Sequence, residues 1–337
     1  MQYIQYIGNS QVEVRERPIP QPGPGEALVQ IALSAICGSE MHTLEKGIDN
    51  TTFNAHNIGH EMVGIVADVN DGCRIAQGQR VGVNIMQGCG SCIYCLTGDP
   101  VHCSKLKYSF DAHSDYIVVP EATLIPLPDD VDWNTAVLMC GDTLGTPYHA
   151  LKRLGGVNAS QRATVFGFGP IGIGSLVWLK YFGLYTIVSE VSPYRRELAS
   201  RLGADLVIDP TRENVVERVR AETGGGAEVC LDCAGIPQTL SDALDAARIY
   251  GRVAFVGEKS TATIRPSDQF IRKELSIVGA WYFTAAEFYE QVEFYRRGLS
   301  VEGMITHRYK LEEAPEAYRK FKAVETGKVV FYHEGVI

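Results

Sequence analysis

Cys37 opens the run Cys37-Gly38-Ser39-Glu40-Met41-His42, and Gly59-His60-Glu61 follows it. A thiolate and an imidazole are thereby offered to one zinc ion, and a zinc that performs chemistry keeps three protein ligands and one open position. Asp142, in Cys140-Gly141-Asp142-Thr143-Leu144-Gly145, is the favoured third ligand, with Cys140 as its rival. Glu61 is either an occasional fourth ligand or an acceptor behind the site. Thiolate, neutral imidazole and carboxylate together cancel the ion's double charge, so one further anionic oxygen is tolerable there. Water on such an ion falls in pKa from about 16 to about 7, and an alcohol in its place is acidified in the same sense. Ser39 and His42 are candidates to carry that proton outward, from hydroxyl to imidazole. A lone buried cysteine or core histidine is ordinary; the combination carries the metal assignment.

A second set, Cys89, Cys92, Cys95 and Cys103, sits among Gly88, Gly90 and Gly98, whose turns can bring four sulfurs into a tetrahedron. Four thiolates close the shell, so the expected role is to order a loop around a structural zinc, the alternatives being an iron–sulfur cluster or a fortuitous grouping of cysteines. Cys230 and Cys233 lie on the apolar stretch Val229–Cys233 and read as buried thiols.

The third motif is Gly167-Phe168-Gly169-Pro170-Ile171-Gly172, preceded by the strand candidate Ala163–Phe166 and opening a helix over Ile171–Phe182. That context turns a weak glycine pattern into a pyrophosphate site at a helix N-terminus. Glu190 ends the next strand candidate, where a carboxylate accepts hydrogen bonds from the adenosine ribose and repels a 2′-phosphate. NAD is therefore favoured over NADP, although Arg195 and Arg196 stand close enough to oppose that preference. A Lewis acid and a hydride carrier in one chain point to oxidation of an alcohol.

These residues need a scaffold. At 337 residues, two domains meeting at a cleft are the starting expectation. The hydrophobic fraction of 45% and charged fraction of 21% are ordinary for a globular protein. No run approaches the roughly 18 apolar residues that cross a bilayer, and the first residues lack signal-peptide character, so the cytoplasm and reduced thiols are expected. A net charge of −9 without a basic block argues against nucleic acid. Residues 1–145 read as short strands between Gly, Pro and Asp turns, such as 26–33 and 116–119. From Ala163 buried strand candidates (163–166, 185–189, 206–208, 227–231, 252–256) alternate with helices such as 193–202, the pattern of a doubly wound parallel sheet. A strand over 276–278 and a helix over 285–297 follow, after which the chain returns to the first domain.

Together with Ile305-Thr306-His307-Arg308, Leu311-Glu312-Glu313-Ala314 and Thr326-Gly327-Lys328-Val329-Val330, these motifs resemble the zinc-dependent medium-chain alcohol dehydrogenases along nearly the whole chain. The Gly-x-Gly-Pro-Ile-Gly form is most similar to the sorbitol and threonine dehydrogenase branch. The resemblance implies an α/β fold: a GroES-like, mainly β catalytic domain (1–146 and 284–337) and a Rossmann cofactor domain (147–283). It also implies catalytic zinc on Cys37, His60 and the Asp142 position, and a homotetramer or dimer built through the edge of the cofactor sheet. The expected substrate is a secondary alcohol or polyol, or its ketone in reverse. A sugar or amino alcohol is the nearest alternative, and a non-catalytic cofactor-binding protein the alternative of another class. Four departures stand out, one being Asp142 itself, at a position that polyol dehydrogenases often fill with Glu, which weakens a specific polyol assignment. Glu40 replaces a usual Asp, which lengthens a carboxylate expected to bear on His60. Ala55-His56-Asn57-Ile58 and Asp111-Ala112-His113-Ser114-Asp115 add polarity, expected beside the substrate channel.

Overall fold

The computed structural model describes residues 1–46, 58–258 and 260–336. Its second half contains a six-stranded sheet in the spatial order Leu206–Ile208, Tyr185–Ser189, Arg162–Phe166, Ala227–Asp232, Ala247–Phe255, Ser276–Gly279. Every pairing is parallel. Numbered from its first strand the order is 3-2-1-4-5-6, the doubly wound arrangement whose switch point lies between the first and fourth strands. The central strands Arg162–Phe166, Tyr185–Ser189 and Ala227–Asp232 are largely buried and near-continuously apolar, as the interior of a parallel sheet requires. The expected strand at 252–256 starts earlier, at Ala247, because the chain pairs with Ala227 before an irregularity in register. Tyr250, at φ 60°, and Gly251 lie in that irregular stretch, which hides the strand from an alternation reading.

The other large sheet runs Ile305–Tyr309, Lys328–Tyr332, Glu26–Ala35, Glu61–Val69, Arg80–Val83, Leu124–Pro126, with Tyr116–Pro120 also paired to Glu26–Ala35. It is antiparallel except between Ile305–Tyr309 and Lys328–Tyr332. The chain's last strands thus join its first ones, as expected.

The helix Asp142–Arg153 joins the two halves and runs unbroken through residue 146. It packs on the helix Pro170–Tyr181 so closely that a Cβ on Gly174 would lie 1.6 Å from the Thr143 carbonyl oxygen. Trp178, fully buried, donates its indole N–H to the Leu144 carbonyl at 3.0 Å. Glycine at 174 is therefore a packing requirement, and it locks the two helices that carry the sites described next. Among the described residues no helix is long and apolar enough to cross a membrane, and no disulfide forms.

Candidate metal centre and cofactor site

Cys37 follows the strand Glu26–Ala35 by two residues, His60 immediately precedes the neighbouring strand that Glu61 begins, and Asp142 heads the linking helix. Their ligand atoms all lie within 4.8 Å of one another. Asp142 Oδ2 stands 3.0 Å from His60 Nε2 and 3.4 Å from Cys37 Sγ, while its Oδ1 accepts from the Thr146 hydroxyl at 2.9 Å. Burial alone would lower the His60 pKa, yet the field of Cys37 and the bond to Asp142 carry it well above its ordinary value. Burial, joined by the Asp142 charge, raises the Cys37 thiol. A divalent cation displaces such protons when it takes a ligand set of this kind.

Glu61 is fully buried. Its Oε1 accepts from Lys328 Nζ at 2.6 Å, whereas its Oε2 has no hydrogen-bond partner. Burial lifts its pKa to about 7 against the pull of Lys328. An orphaned carboxylate oxygen beside a thiol, an imidazole and a second carboxylate fits a zinc ion, because a buried oxygen anion without a partner is costly. Gly141 makes room for it: a Cβ there would lie 2.2 Å from Glu61 Oε2. Cys140 is not part of the cluster. Its Sγ packs against Gly82, where a Cβ would approach it to 2.2 Å, and burial alone drives its thiol pKa upward.

Ser39 is exposed and His42 half-buried on the first turns of the helix Gly38–Lys46, three residues apart and so on one face. Glu40, the lengthened carboxylate, stands behind the cluster: it accepts from the Cys37 amide at 2.9 Å and meets His113 and Tyr318. The Asp111–Asp115 segment likewise turns inward, with Ala112, His113 and Ser114 fully buried instead of lining a channel. Residues 55–57 lie outside the described residues. Two aromatic neighbours escaped the sequence reading: Phe110 meets the His60 ring edge-on at 6.2 Å, and Tyr108 stacks on Phe110. Nothing in their spacing marks them, since a turn brings them back over the histidine.

The sulfurs of Cys89, Cys92, Cys95 and Cys103 also lie within 4.8 Å of one another. Gly90 and Gly98 take positive φ at the turns, and a Cβ on Gly88 would strike Cys95 Sγ. The Cys103 sulfur accepts amide bonds from Cys89 and Lys105 at 3.3 Å each. Cys230 is buried as read, Cys233 contacts the Ser175 hydroxyl, and Cys73 donates to the Glu26 carbonyl.

In the glycine loop, each glycine has its own reason. Gly167 turns at φ 87°, Gly169 has only the Arg195 guanidinium near its missing Cβ, at 3.6 Å, and a Cβ on Gly172 would lie 2.1 Å from the Gly167 carbonyl oxygen. These are the tight turn, the open backbone for a pyrophosphate and the close helix packing that dinucleotide binding asks for. Pro170 and Ile171 begin the helix, its first N–H being dispensable. Glu190 Oε2 accepts from the Phe168 amide at 2.6 Å and Oε1 from the Ser192 amide at 2.8 Å, so the carboxylate ties the second strand to the loop. Arg195 is held by the Thr326 carbonyl, and Arg196 pairs with Asp209 at 2.9 Å; neither is a freely solvated side chain.

Residues 23–129 match the alcohol dehydrogenase GroES-like domain family and residues 170–297 the zinc-binding dehydrogenase family. L-threonine 3-dehydrogenase of Pyrococcus horikoshii is 32% identical over 338 residues, covering 95% of this chain and 94% of that protein. A structure from Escherichia coli CFT073, described as a short chain alcohol dehydrogenase and complexed with NADH, superposes with a TM-score of 0.86 at 27% identity over 99% of both chains. A provisionally assigned zinc-binding dehydrogenase of Sinorhizobium meliloti 1021, bound to NADP, gives a TM-score of 0.86 at 25% identity over 98% of this chain and 99% of that one.

Proposed function

The chain belongs to the zinc-binding alcohol dehydrogenases with a GroES-like domain, and from that premise we propose that it oxidises a secondary alcohol or polyol with NAD, and reduces the ketone in reverse. When bound, zinc supplies Lewis-acid activation of the alcohol oxygen and the nicotinamide accepts the hydride. Cys37, His60 and Asp142 hold the metal in this reading, Glu61 stands by as a further ligand, and Ser39 and His42 pass the alcohol proton to solvent. Gly167, Gly169, Pro170, Ile171 and Gly172 cradle the pyrophosphate, while Glu190 and Arg195 act on the adenosine ribose and its neighbourhood. The observation that carries the proposal is mechanical. Asp142 and the glycine loop are mounted on two helices fixed to each other at Gly174 and Trp178, so metal and cofactor sites keep one geometry.

The same reading assigns a second, structural zinc to Cys89, Cys92, Cys95 and Cys103, and divides the chain into a catalytic unit (1–146 and 284–337) and a cofactor unit (147–283). It takes the protein to be cytoplasmic. It also pairs copies into a dimer or homotetramer along the sheet edge at Ser276–Gly279, where Ile271 and Trp281 are exposed. Metal analysis combined with NAD and NADP reduction over secondary alcohols, polyols and amino alcohols tests the function. Two zinc ions and NAD-linked oxidation of one of these classes are expected. Full turnover by a Cys37→Ser variant would overturn the proposal.

A further inference from the structure

Behind the metal centre lies a buried polar chain that no part of the proposed chemistry uses. The His113 ring has no solvent exposure. Its Nε2 donates to Glu40 Oε2 at 3.2 Å, and its Nδ1 lies 2.9 Å from the Ser34 hydroxyl. Glu40 also accepts from the Tyr318 hydroxyl, and through Oε1 from the Cys37 amide at 2.9 Å. Phe331 meets the imidazole edge-on at 5.0 Å.

The same loop grips the other ligand. The Gly59 carbonyl accepts from the Asp111 and Ala112 amides at 3.1 and 3.2 Å, and the Ile58 carbonyl accepts from His113 N at 3.3 Å. A Cβ on Gly59 would lie 2.6 Å from the His113 ring, so the imidazole packs flush against the peptide that precedes His60. One side chain therefore reaches the backbone beside both candidate ligands, Cys37 through Glu40 and His60 through Gly59. An apolar residue would fill the space beside Gly59 but leave a buried carboxylate short of a donor, and such groups are tolerated only when bonded.

We propose that His113 is a positioning residue for the metal centre: its bond to Glu40 and its contact with Gly59 fix the spacing of Cys37 and His60. This rests on the reading of Cys37, His60 and Asp142 as a zinc site. Partners standing behind ligands are worth about 10- to 100-fold in metal affinity, against the milder effect expected of a residue that only fills the core.

The test measures zinc affinity by chelator competition, and the thiolate-to-metal and d–d bands after cobalt substitution, on the full-length protein and its variants. His113→Phe keeps a ring but loses both nitrogens; it should weaken zinc binding about 10- to 100-fold and shift the cobalt bands. His113→Gln, which restores a donor towards Glu40, should recover most of the loss, and Glu40→Gln combined with His113→Phe should cost less than the two single changes added together. Ser34→Ala deletes one hydroxyl and carries the test if His113→Phe does not fold; it should weaken zinc binding several-fold. Wild-type zinc affinity and cobalt bands in His113→Phe, or in Ser34→Ala if the former is insoluble, would overturn the inference. Failure of the underlying reading has a separate signature: Cys37→Ser would bind as much zinc as the wild type.

Discussion

Lys328 and Glu61 face each other at 2.6 Å with neither side chain exposed, beneath the cluster of Cys37, His60 and Asp142. The ammonium also donates to the Ile36 carbonyl at 3.0 Å, one residue before Cys37, so one buried cation braces the chain on two sides of the candidate cluster. Removing one partner of such a pair strands the other. Lys328→Met is expected to lower unfolding free energy by about 3 kcal/mol, measured by urea denaturation, and Glu61→Gln made in the same chain should give part of it back. A single variant as stable as the wild type would refute the bracing role.

Asp142 and Cys140 are two residues apart, but only the carboxylate meets Cys37 and His60; the thiol is turned onto Gly82. Asp142→Ala should lose one zinc per chain and slow hydride transfer by about a thousandfold, the several kcal/mol that a Lewis acid supplies. Cys140→Ala should retain both metals and near-normal turnover. The reverse outcome, read by metal analysis and steady-state kinetics, would restore Cys140 as the ligand.

The four sulfurs of the lobe lie within 4.8 Å of one another and form a cluster separate from that of Cys37, His60, Glu61 and Asp142. Cys92→Ser should therefore lower zinc content by one and make residues 88–104 sensitive to limited proteolysis, because metal binding free energy is folding free energy in such loops. Turnover per remaining catalytic zinc should persist. Loss of all activity with the catalytic metal still bound would show that the lobe acts on the chemistry directly.

Periodicity made the cofactor sheet legible because strands buried on both faces carry apolar runs of fixed length. Tyr185–Ser189 and Leu206–Ile208 have the bounds their residues suggest. The two candidate metal clusters were legible for another reason: Cys37, His60 and the four-cysteine set are rare residue types at informative spacings. What stayed hidden was direction. The polarity of Asp111–Asp115 is plain in the sequence, but whether it faces a channel or the interior depends on the turn that lays His113 against Gly59. Phe110 and Tyr108 were invisible for the same reason. The extra length of Glu40 is plain in the sequence but its partner His113 is not, since a partner about seventy residues away leaves no periodic trace.

Glu287 links the helix Ala285–Arg296 to the helix bearing Asp142. It accepts from the Thr284 amide at 2.9 Å in a capping box and from His149 Nδ1 at 3.0 Å. Burial opposes its charge, but the bonds from His149 and Thr284 win and hold its carboxyl below the ordinary value. A depressed carboxylate contributes stability that is present above the unfolded pKa of about 4.5 and lost as pH falls through the folded value. Glu287→Gln should thus be less stable than the wild type by about 1 kcal/mol at pH 7, and the gap should close below about pH 4.5. A difference that stays constant from pH 7 to pH 3 would rule out the ionic part of this account.

Glu190 has two duties that one substitution can separate. Its carboxylate oxygens take the Phe168 and Ser192 amides, which shapes the glycine loop, and its charge is what should reject a 2′-phosphate. Glu190→Gln keeps an amide oxygen for one of those bonds while removing the charge, so the loop should hold. Arg195, 3.6 Å from the missing Cβ of Gly169, would then face a phosphorylated ribose without opposition. The ratio of kcat/KM for NADP to that for NAD should rise about tenfold, equivalent to roughly 1.4 kcal/mol, with little change in Tm. Glu190→Ala should change the ratio similarly and also lower Tm, because both amides lose their acceptor. Equal use of the two cofactors by the wild type would mean that Arg195 already outweighs the carboxylate, and the substitution would then leave the ratio where it was.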